Sequence, residues 1–159
     1  MKRNKVISIN ISKGKGTVKR PVGEATLRRN WGLMGDAHAG LSHRQVSLLG
    51  IENIRKFISQ SAKLKRSKNV RFKIGPGDFA ENITTGGFDL NGLRIGTKLR
   101  LGSRAVIEIT QRGKECHTNC EIRKLIGNCI MPEEGLFAKV ISGGKIRVGD
   151  PIEIKGEDL

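Results

Sequence analysis

The sequence predicts a mainly β fold. Three observations lead there: 21 glycines in 159 residues, the short runs rich in Val, Ile, Leu and Thr that those glycines punctuate, and only two segments with helix signals. A chain of this length buries roughly two-thirds of its unfolded surface, enough for one core. No internal repeat or low-complexity linker divides it, so a single domain over 1–159 is expected.

The first strand is expected at 6–11, where Val6-Ile7-Ser8-Ile9-Asn10-Ile11 alternates apolar and polar residues. Lys2, Arg3 and Lys5 precede it, but a signal peptide needs a longer unbroken apolar stretch and a small-residue cleavage site. Lys13-Gly14-Lys15-Gly16 reads as a turn. Strands follow at 23–27 and 45–49. A helix is expected from about Ile51 to Gln60, because Ile51, Ile54, Phe57 and Ile58 share one face, and it should cover an opening of the sheet. Further strands are expected at 98–101, 105–111, 135–141 and 151–154. A second helix should begin near Asn119: Thr118-Asn119-Cys120-Glu121 fits a capping box, and Gly127 stands where a helix C-terminus favours glycine. Between Ser142 and Lys145, the pair Gly143-Gly144 suits the positive φ angles of a two-residue hairpin.

Composition narrows the function classes. No uninterrupted apolar run approaches the roughly 18 residues of a membrane span. Three cysteines make no disulfide framework, and the odd count leaves a free thiol, which suits a reducing cytoplasm. The formal charge is +15, and the whole excess lies in the first half: residues 1–75 carry 18 Lys/Arg against 3 Asp/Glu. Part of it falls in Lys63-Leu64-Lys65-Arg66-Ser67-Lys68, read as a solvated loop. Such an excess often marks nucleic-acid binders. Aromatic residues are only 4%, with no Tyr, so the stacking platform of a single-strand binder is missing and an anionic small molecule is the better partner.

Cys116 stands in the loop ahead of the expected second helix, and Cys120 in its first turn. Free amide donors and the positive end of the helix dipole favour a thiolate there, and Arg112 and Lys114 add to that pull. Cys116-His117-Thr118-Asn119-Cys120, with Cys129, also admits a structural zinc reading. Cys120 and Cys129 can equally be small buried hydrophobes, the favoured account for Cys129 beside Ile130 and Met131.

Two further segments look organised for more than packing. In Gly32-Leu33-Met34-Gly35-Asp36-Ala37-His38-Ala39-Gly40, followed by Ser42-His43-Arg44-Gln45, glycines surround an Asp, two His and an Arg. Backbone amides of such a loop can cradle an oxyanion, and Arg44 offers a planar fork for phosphate or carboxylate. Each His can also be an ordinary surface or hydrogen-bonded residue. In Gly75-Pro76-Gly77-Asp78-Phe79-Ala80-Glu81-Asn82, Asp78 is expected to fix a turn and Asn82 to face a pocket. No Ser-His-Asp order, Walker loop or dinucleotide fingerprint is present.

These two segments, with Arg44-Gln45-Val46-Ser47-Leu48-Leu49, Glu108-Ile109-Thr110-Gln111-Arg112-Gly113-Lys114-Glu115-Cys116-His117, Gly135-Leu136-Phe137-Ala138-Lys139-Val140 and Gly149-Asp150, resemble the ordered motifs of small stand-alone bacterial MOSC domains. MOSC is the module that ends molybdenum-cofactor sulfurases. The resemblance covers nearly the whole chain. It implies a β-barrel-like fold with a few short helices and a pocket for the molybdenum cofactor, a pterin bearing a dithiolene and a phosphate.

In related proteins a cysteine after the long central strand is metal ligand or sulfur carrier, and Cys116 is the matching position, reaching molybdenum through the cofactor. A soft thiolate suits that metal, and a cationic surround suits the phosphate. Arg44, Arg112 and Lys114 are the candidates for the surround, with His38 and Asn82 as further cofactor-binding residues. Sulfurases also carry a pyridoxal-phosphate domain, and no pyridoxal phosphate is expected in this chain.

The leading expectation is a cytoplasmic molybdenum-cofactor-binding or sulfur-carrier protein that uses the Cys116 thiolate or persulfide with a sulfur-donor or electron-transfer partner. The first alternative is a molybdenum-dependent oxidoreductase that reduces N-hydroxylated compounds with partner proteins. The second is a non-catalytic basic module for nucleic acid or an acidic protein, which a steep salt dependence of binding would reveal.

Overall fold

The computed structural model of the chain describes residues 4–15, 17–64, 74–87, 89–113 and 130–155. The strands are β1 (Lys5–Ile11), β2 (Arg20–Val22), β3 (Glu24–Arg28), β4 (Gly32–Leu33), β5 (Val46–Gly50), β6 (Ile83–Gly86), β7 (Lys98–Leu101), β8 (Ala105–Arg112), β9 (Leu136–Ser142), β10 (Gly144–Arg147) and β11 (Ile152–Ile154). Helix α1 (Ile51–Leu64) follows β5 directly, α2 (Met131–Glu134) precedes β9, and a 3-10 turn spans Leu90–Gly92.

Eight strands form one mixed sheet in the order β11-β7-β8-β9-β5-β6-β1-β2, and a second sheet has the order β10-β3-β4. The pair β5–β6 is parallel, which requires the crossover that α1 begins. The ends of the large sheet approach through one isolated bridge, Lys5 to Pro151. The Val6 amide donates to Asp150 O (2.9 Å) and the Ile152 amide to Asn4 O (2.9 Å) beside it. The fold is therefore mainly β, with a large sheet that curls on itself without closing into a barrel.

Strand alternation divides the apolar residues between two cores. Val46 and Leu48 of β5, with Ile107 and Ile109 of β8, face the main core, where Leu27, Leu33 and Ile146 of the small sheet cover them. Leu49 and Phe137 face the other side, where Ile51, Ile54 and Phe57 of α1 meet Phe79 and Met131. The helix thus roofs the face opposite the small sheet. Val6 and Ile9 both join the main core despite their odd spacing, because a bulge between Val6 and Ser8 resets the alternation.

The hairpin expected at Gly143-Gly144 does not form. Strand β10 pairs with β3, not with β9: Gly144 stands opposite Leu27 and Arg147 opposite Glu24. Neither glycine has a positive φ. A Cβ on Gly143 would lie 2.7 Å from Leu27 O, so close approach of a neighbouring strand is what glycine permits there as the chain changes sheets. The helix expected near Asn119 falls outside the described residues.

Candidate functional site

The loop joining β4 to β5 holds Asp36, His38, His43 and Arg44, and its two ends are fixed differently. At the β4 end, the Ser12 amide, just past β1, donates to Asp36 Oδ1 (3.0 Å), and the His38 amide donates to Asp36 Oδ2 (3.0 Å). The Ala37 amide bonds Ser12 O (2.8 Å), tying the loop to β1 a second time. Lys19 enters from the start of β2. Its Nζ lies 2.7 Å from Asp36 Oδ1, 3.1 Å from Ser12 Oγ and 3.0 Å from His38 Nδ1. The side chains of Lys19 and Asp36 are both 0% exposed, while His38 is 29% exposed.

Burial alone would raise the Asp36 pKa. The hydrogen bond and charge of Lys19, with help from Ser12 and Asn82, outweigh it and hold the carboxyl below its usual value. Lys19 reaches this position because its amide donates to Gly77 O (2.7 Å). Gly77 has φ +90°, and a Cβ there would stand 2.2 Å from Lys19 O, so no other residue fits.

Beneath the ion pair lies a buried polar brace. Asn82 Oδ1 accepts from the Ser47 amide (3.0 Å) and hydroxyl (3.2 Å), and its Nδ2 donates to Asn10 O (3.2 Å). Asn10 Nδ2 donates to Glu81 O and Thr84 Oγ1, each at 3.1 Å. Asn82 is thus completely buried and links β1, β5 and β6. Glu81 is equally buried and accepts from Thr84 Oγ1 (2.9 Å) and the Phe79 amide (3.3 Å). Burial pushes its pKa up to about 7 against these hydrogen bonds. Ala80, immediately before it, has φ +62°, a left-handed conformation that turns the chain inward. Asp78 fixes the preceding turn by accepting from the Gly75 amide (2.8 Å), and burial raises its pKa too.

At the β5 end the same loop rests on the last residues of β8. Arg44 Nε donates to Gln111 Oε1 (3.0 Å), and His43 Nε2 stands 2.6 Å from that oxygen. A carboxamide oxygen only accepts, so His43 carries its proton on Nε2 in this contact. Gln111 Nε2 continues to Gly113 O (2.7 Å), and the Arg44 guanidinium sits 5.3 Å from the centre of the Phe137 ring. A bulge between Ile109 and Gln111 aims this strand end.

Gly113 has φ +62°, and a Cβ on it would lie 2.1 Å from Pro132 O. Its amide donates to Gly135 O (2.8 Å), so the residues on either side of 114–129 are held together. Cys116 and Lys114, together with His117, Cys120, Cys129 and the zinc reading built on them, fall outside the described residues. Arg112 Nη2 donates to the carbonyls of Asn91 in the 3-10 turn and of Leu93 just past it.

The structure therefore ties His38 to Asp36, sets Asn82 in the buried brace with Ser47 and Asn10, and joins Arg44 to the strand that leads towards Cys116. Sequence reasoning missed Lys19, Gln111 and Asn10 as members of these clusters, and it left Glu81 open between fixing a turn and facing a ligand. Of the glycines at 75 and 77, only Gly77 marks a close approach, to Lys19 O. Among the described residues no group of three or more His, Cys, Asp or Glu is placed to hold a metal ion, and no helix is long and apolar enough to cross a membrane. A surface cleft of about 570 Å³ is lined by Arg100, Lys145, Arg147, Asp150 and Glu153 and includes none of the expected site residues. Its charges are paired, Arg100 with Glu153 at 2.5 Å and Arg147 with Glu24 at 3.2 Å.

The family model for the MOSC domain matches residues 35–153. Among solved structures, the chain is similar to the YUAD protein from Bacillus subtilis, with 19% identity, TM-score 0.76, and coverage of 97% of this chain and 98% of that one. It is also similar to YiiM from Geobacillus stearothermophilus, with 17% identity, TM-score 0.71, and coverage of 98% and 77%. For YiiM from Escherichia coli the identity is 20%, the TM-score 0.70, and the coverage 98% and 70%. No curated protein matches the chain.

Proposed function

The chain belongs to the MOSC domain family, and from that premise we propose that it binds the molybdenum cofactor, with Cys116 as thiolate ligand or transient persulfide in cofactor handling or sulfur transfer. The observation that carries this reading is the convergence of His43 and Arg44 on Gln111. That pair of basic side chains meets the end of the strand from which the sequence runs on to Lys114 and Cys116.

The donor chemistry fits the group. A guanidinium, imidazoles and a thiol in a basic segment match a phosphorylated pterin that carries a soft metal–sulfur centre. When bound, the cofactor would supply redox-active molybdenum and its attached sulfur. The chain's own part is to hold and orient. Arg44, braced by Gln111 and stacked on Phe137, offers its remaining donors to an anionic oxygen. Lys114 adds positive charge next to Cys116 and favours its thiolate. Arg112 contributes its charge while fastening the 3-10 turn, and Asn82 braces β5, where the loop ends, through Ser47. The cytoplasm is the compartment that suits a free thiol, and a sulfur donor or electron-transfer protein is the partner the chemistry calls for.

Expression in a host that makes the cofactor, followed by metal analysis and intact mass, tests the reading. Molybdenum should accompany the wild-type protein and fall away in Cys116→Ala. Equal molybdenum in both would overturn the role given to Cys116, and none in the wild type after reconstitution would overturn cofactor binding itself.

A further inference from the structure

We infer that Gln111 is a positioning residue that gives its two basic neighbours opposite polarity, Arg44 as hydrogen-bond donor and His43 as acceptor, so that together they read a ligand edge with an oxygen beside an N–H. The polarity follows from this chain's geometry. That the edge is the pyrimidinone edge of the pterin, and not its phosphate, rests on the proposed function.

Gln111 has partners of fixed sign on both sides. Arg44 Nε only donates and lies 3.0 Å from Oε1, while Gly113 O only accepts and lies 2.7 Å from Nε2. Turning the amide over would set donor against donor and acceptor against acceptor, so one orientation survives. The same Oε1 stands 2.6 Å from His43 Nε2. With two donors on it, its lone pairs are used, and Gln111 acts through its neighbours, not on the ligand. The neighbours are themselves held. The Thr110 hydroxyl donates to His43 O, and the centre of the Phe137 ring lies 5.3 Å from the Arg44 guanidinium carbon.

What remains outward differs between the two. A neutral imidazole that donates from Nε2 presents a lone pair at Nδ1. A guanidinium bonded through Nε presents N–H groups along its Nη edge. Both residues are exposed, and neither side chain makes another hydrogen bond or ion pair among the described residues. A pair that donates at one point and accepts at the next suits a lactam, whose C=O adjoins an N–H. A phosphate monoester suits it less, because above its second pKa of about 6 it has no proton to give.

Nitrogen-15 spectra of histidine-labelled wild-type protein at about pH 8, above the ordinary histidine pKa, read the His43 ring directly, with His43→Asn to assign its signals. The expected result is a protonated Nε2 and a bare Nδ1. A proton on Nδ1 would overturn the inference without further variants. In Gln111→Leu the Nδ1-protonated form should appear beside the other, and a tautomer unchanged from wild type would show that Gln111 does not set it.

Free pterin and glycerol phosphate, titrated at about pH 7, separate the two ends of the cofactor. Pterin should move the His43 Nδ1 signal. His43→Ala should bind pterin about fivefold more weakly, the worth of one neutral hydrogen bond, while its affinity for glycerol phosphate stays within about twofold of wild type. Gln111→Leu should weaken pterin binding by about as much as His43→Ala does, although its side chain touches no ligand. Pterin that binds wild type and both variants alike, or leaves His43 Nδ1 unmoved, would overturn the inference, as would a His43→Ala loss confined to glycerol phosphate. Should the whole cofactor bring molybdenum to the protein while pterin leaves His43 unmoved, the proposed function stands and this inference fails. Should pterin seat on His43 in a protein that takes up no molybdenum, the proposed function fails and the polarity set by Gln111 stands.

Discussion

At Asp36 the loop between β4 and β5 is anchored by an ion pair with no exposed side-chain surface. At Arg44 the same loop leans on exposed polar groups of β8. In the first region charges have left water, so every hydrogen bond is needed and the geometry has one solution. In the second, each contact can be exchanged for water at small cost, so the side chains remain available to a ligand. A site for a large anionic molecule gains from this division. One end of the loop holds the backbone still, and the other can adjust to what arrives.

The largest effect should come from removing one partner of the sealed pair. Lys19→Met leaves the Asp36 carboxylate buried without its cation and should destabilise the protein by about 3–5 kcal/mol. Urea unfolding measures this. The double variant Lys19→Met/Asp36→Asn should recover more than half of the loss, because the penalty lies in the stranded charge. A double variant as unstable as the single one would show that packing, not charge, is what Lys19 supplies.

Two buried carboxyl groups on this side of the molecule should give opposite pH responses. Asp36 is held below its usual pKa of 3.8. Its contribution to stability is therefore complete above the unfolded pKa and is lost as pH falls through the folded value. Glu81 is pushed up from 4.5 to about 7, so between these values the folded protein binds the proton that the unfolded chain releases. Stability should then decline as pH rises from about 4.5 to about 7, by about 3 kcal/mol in all, and level off above. Glu81→Gln should abolish that slope. Unfolding free energies of both proteins across this range decide the matter, and parallel curves would refute the assignment.

Gly113 is the joint between the exposed contacts of β8 and residues 114–129. Gly113→Ala must accommodate a Cβ 2.1 Å from Pro132 O at φ +62°. It should lower stability by about 2 kcal/mol and reduce the molybdenum content of protein purified from a cofactor-producing host. Full molybdenum content in a measurably destabilised variant would separate this joint from the site.

The expected strands match wherever apolar alternation runs for four residues or more, as in β1, β7 and β8. The missed ones are short or lie at an edge. Strand β2 is Arg20-Pro21-Val22 at the border of the large sheet, where a proline is tolerated, and β4 has two residues. Strand β6 was hidden because its β-branched run follows Glu81 and Asn82, which drew attention as ligand or turn residues. Arg44 stood out because glycines and histidines surround it. Lys19 did not, since a lysine before a strand reads as solvated surface. Its burial depends on the Gly77 carbonyl, the end of β1 and the loop from β4 closing around it together, and no local pattern encodes that meeting.

The smallest change in stability, paired with a clear change in binding, is expected at Arg44. Its side chain is exposed and makes one hydrogen bond to Gln111 and one stacking contact with Phe137. Arg44→Ala should therefore shift the unfolding free energy by less than about 1 kcal/mol, while cofactor content falls. Arg44→Lys restores the charge but not the planar fork, so it should recover binding only in part. If the loss arose from screening-sensitive attraction alone, Lys would serve as well as Arg and both would weaken steeply with salt. Partial recovery by Lys at every ionic strength is the outcome that ties Arg44 to a shaped oxygen acceptor, and a stability loss as large as that of Lys19→Met would erase the distinction between the two ends of the loop.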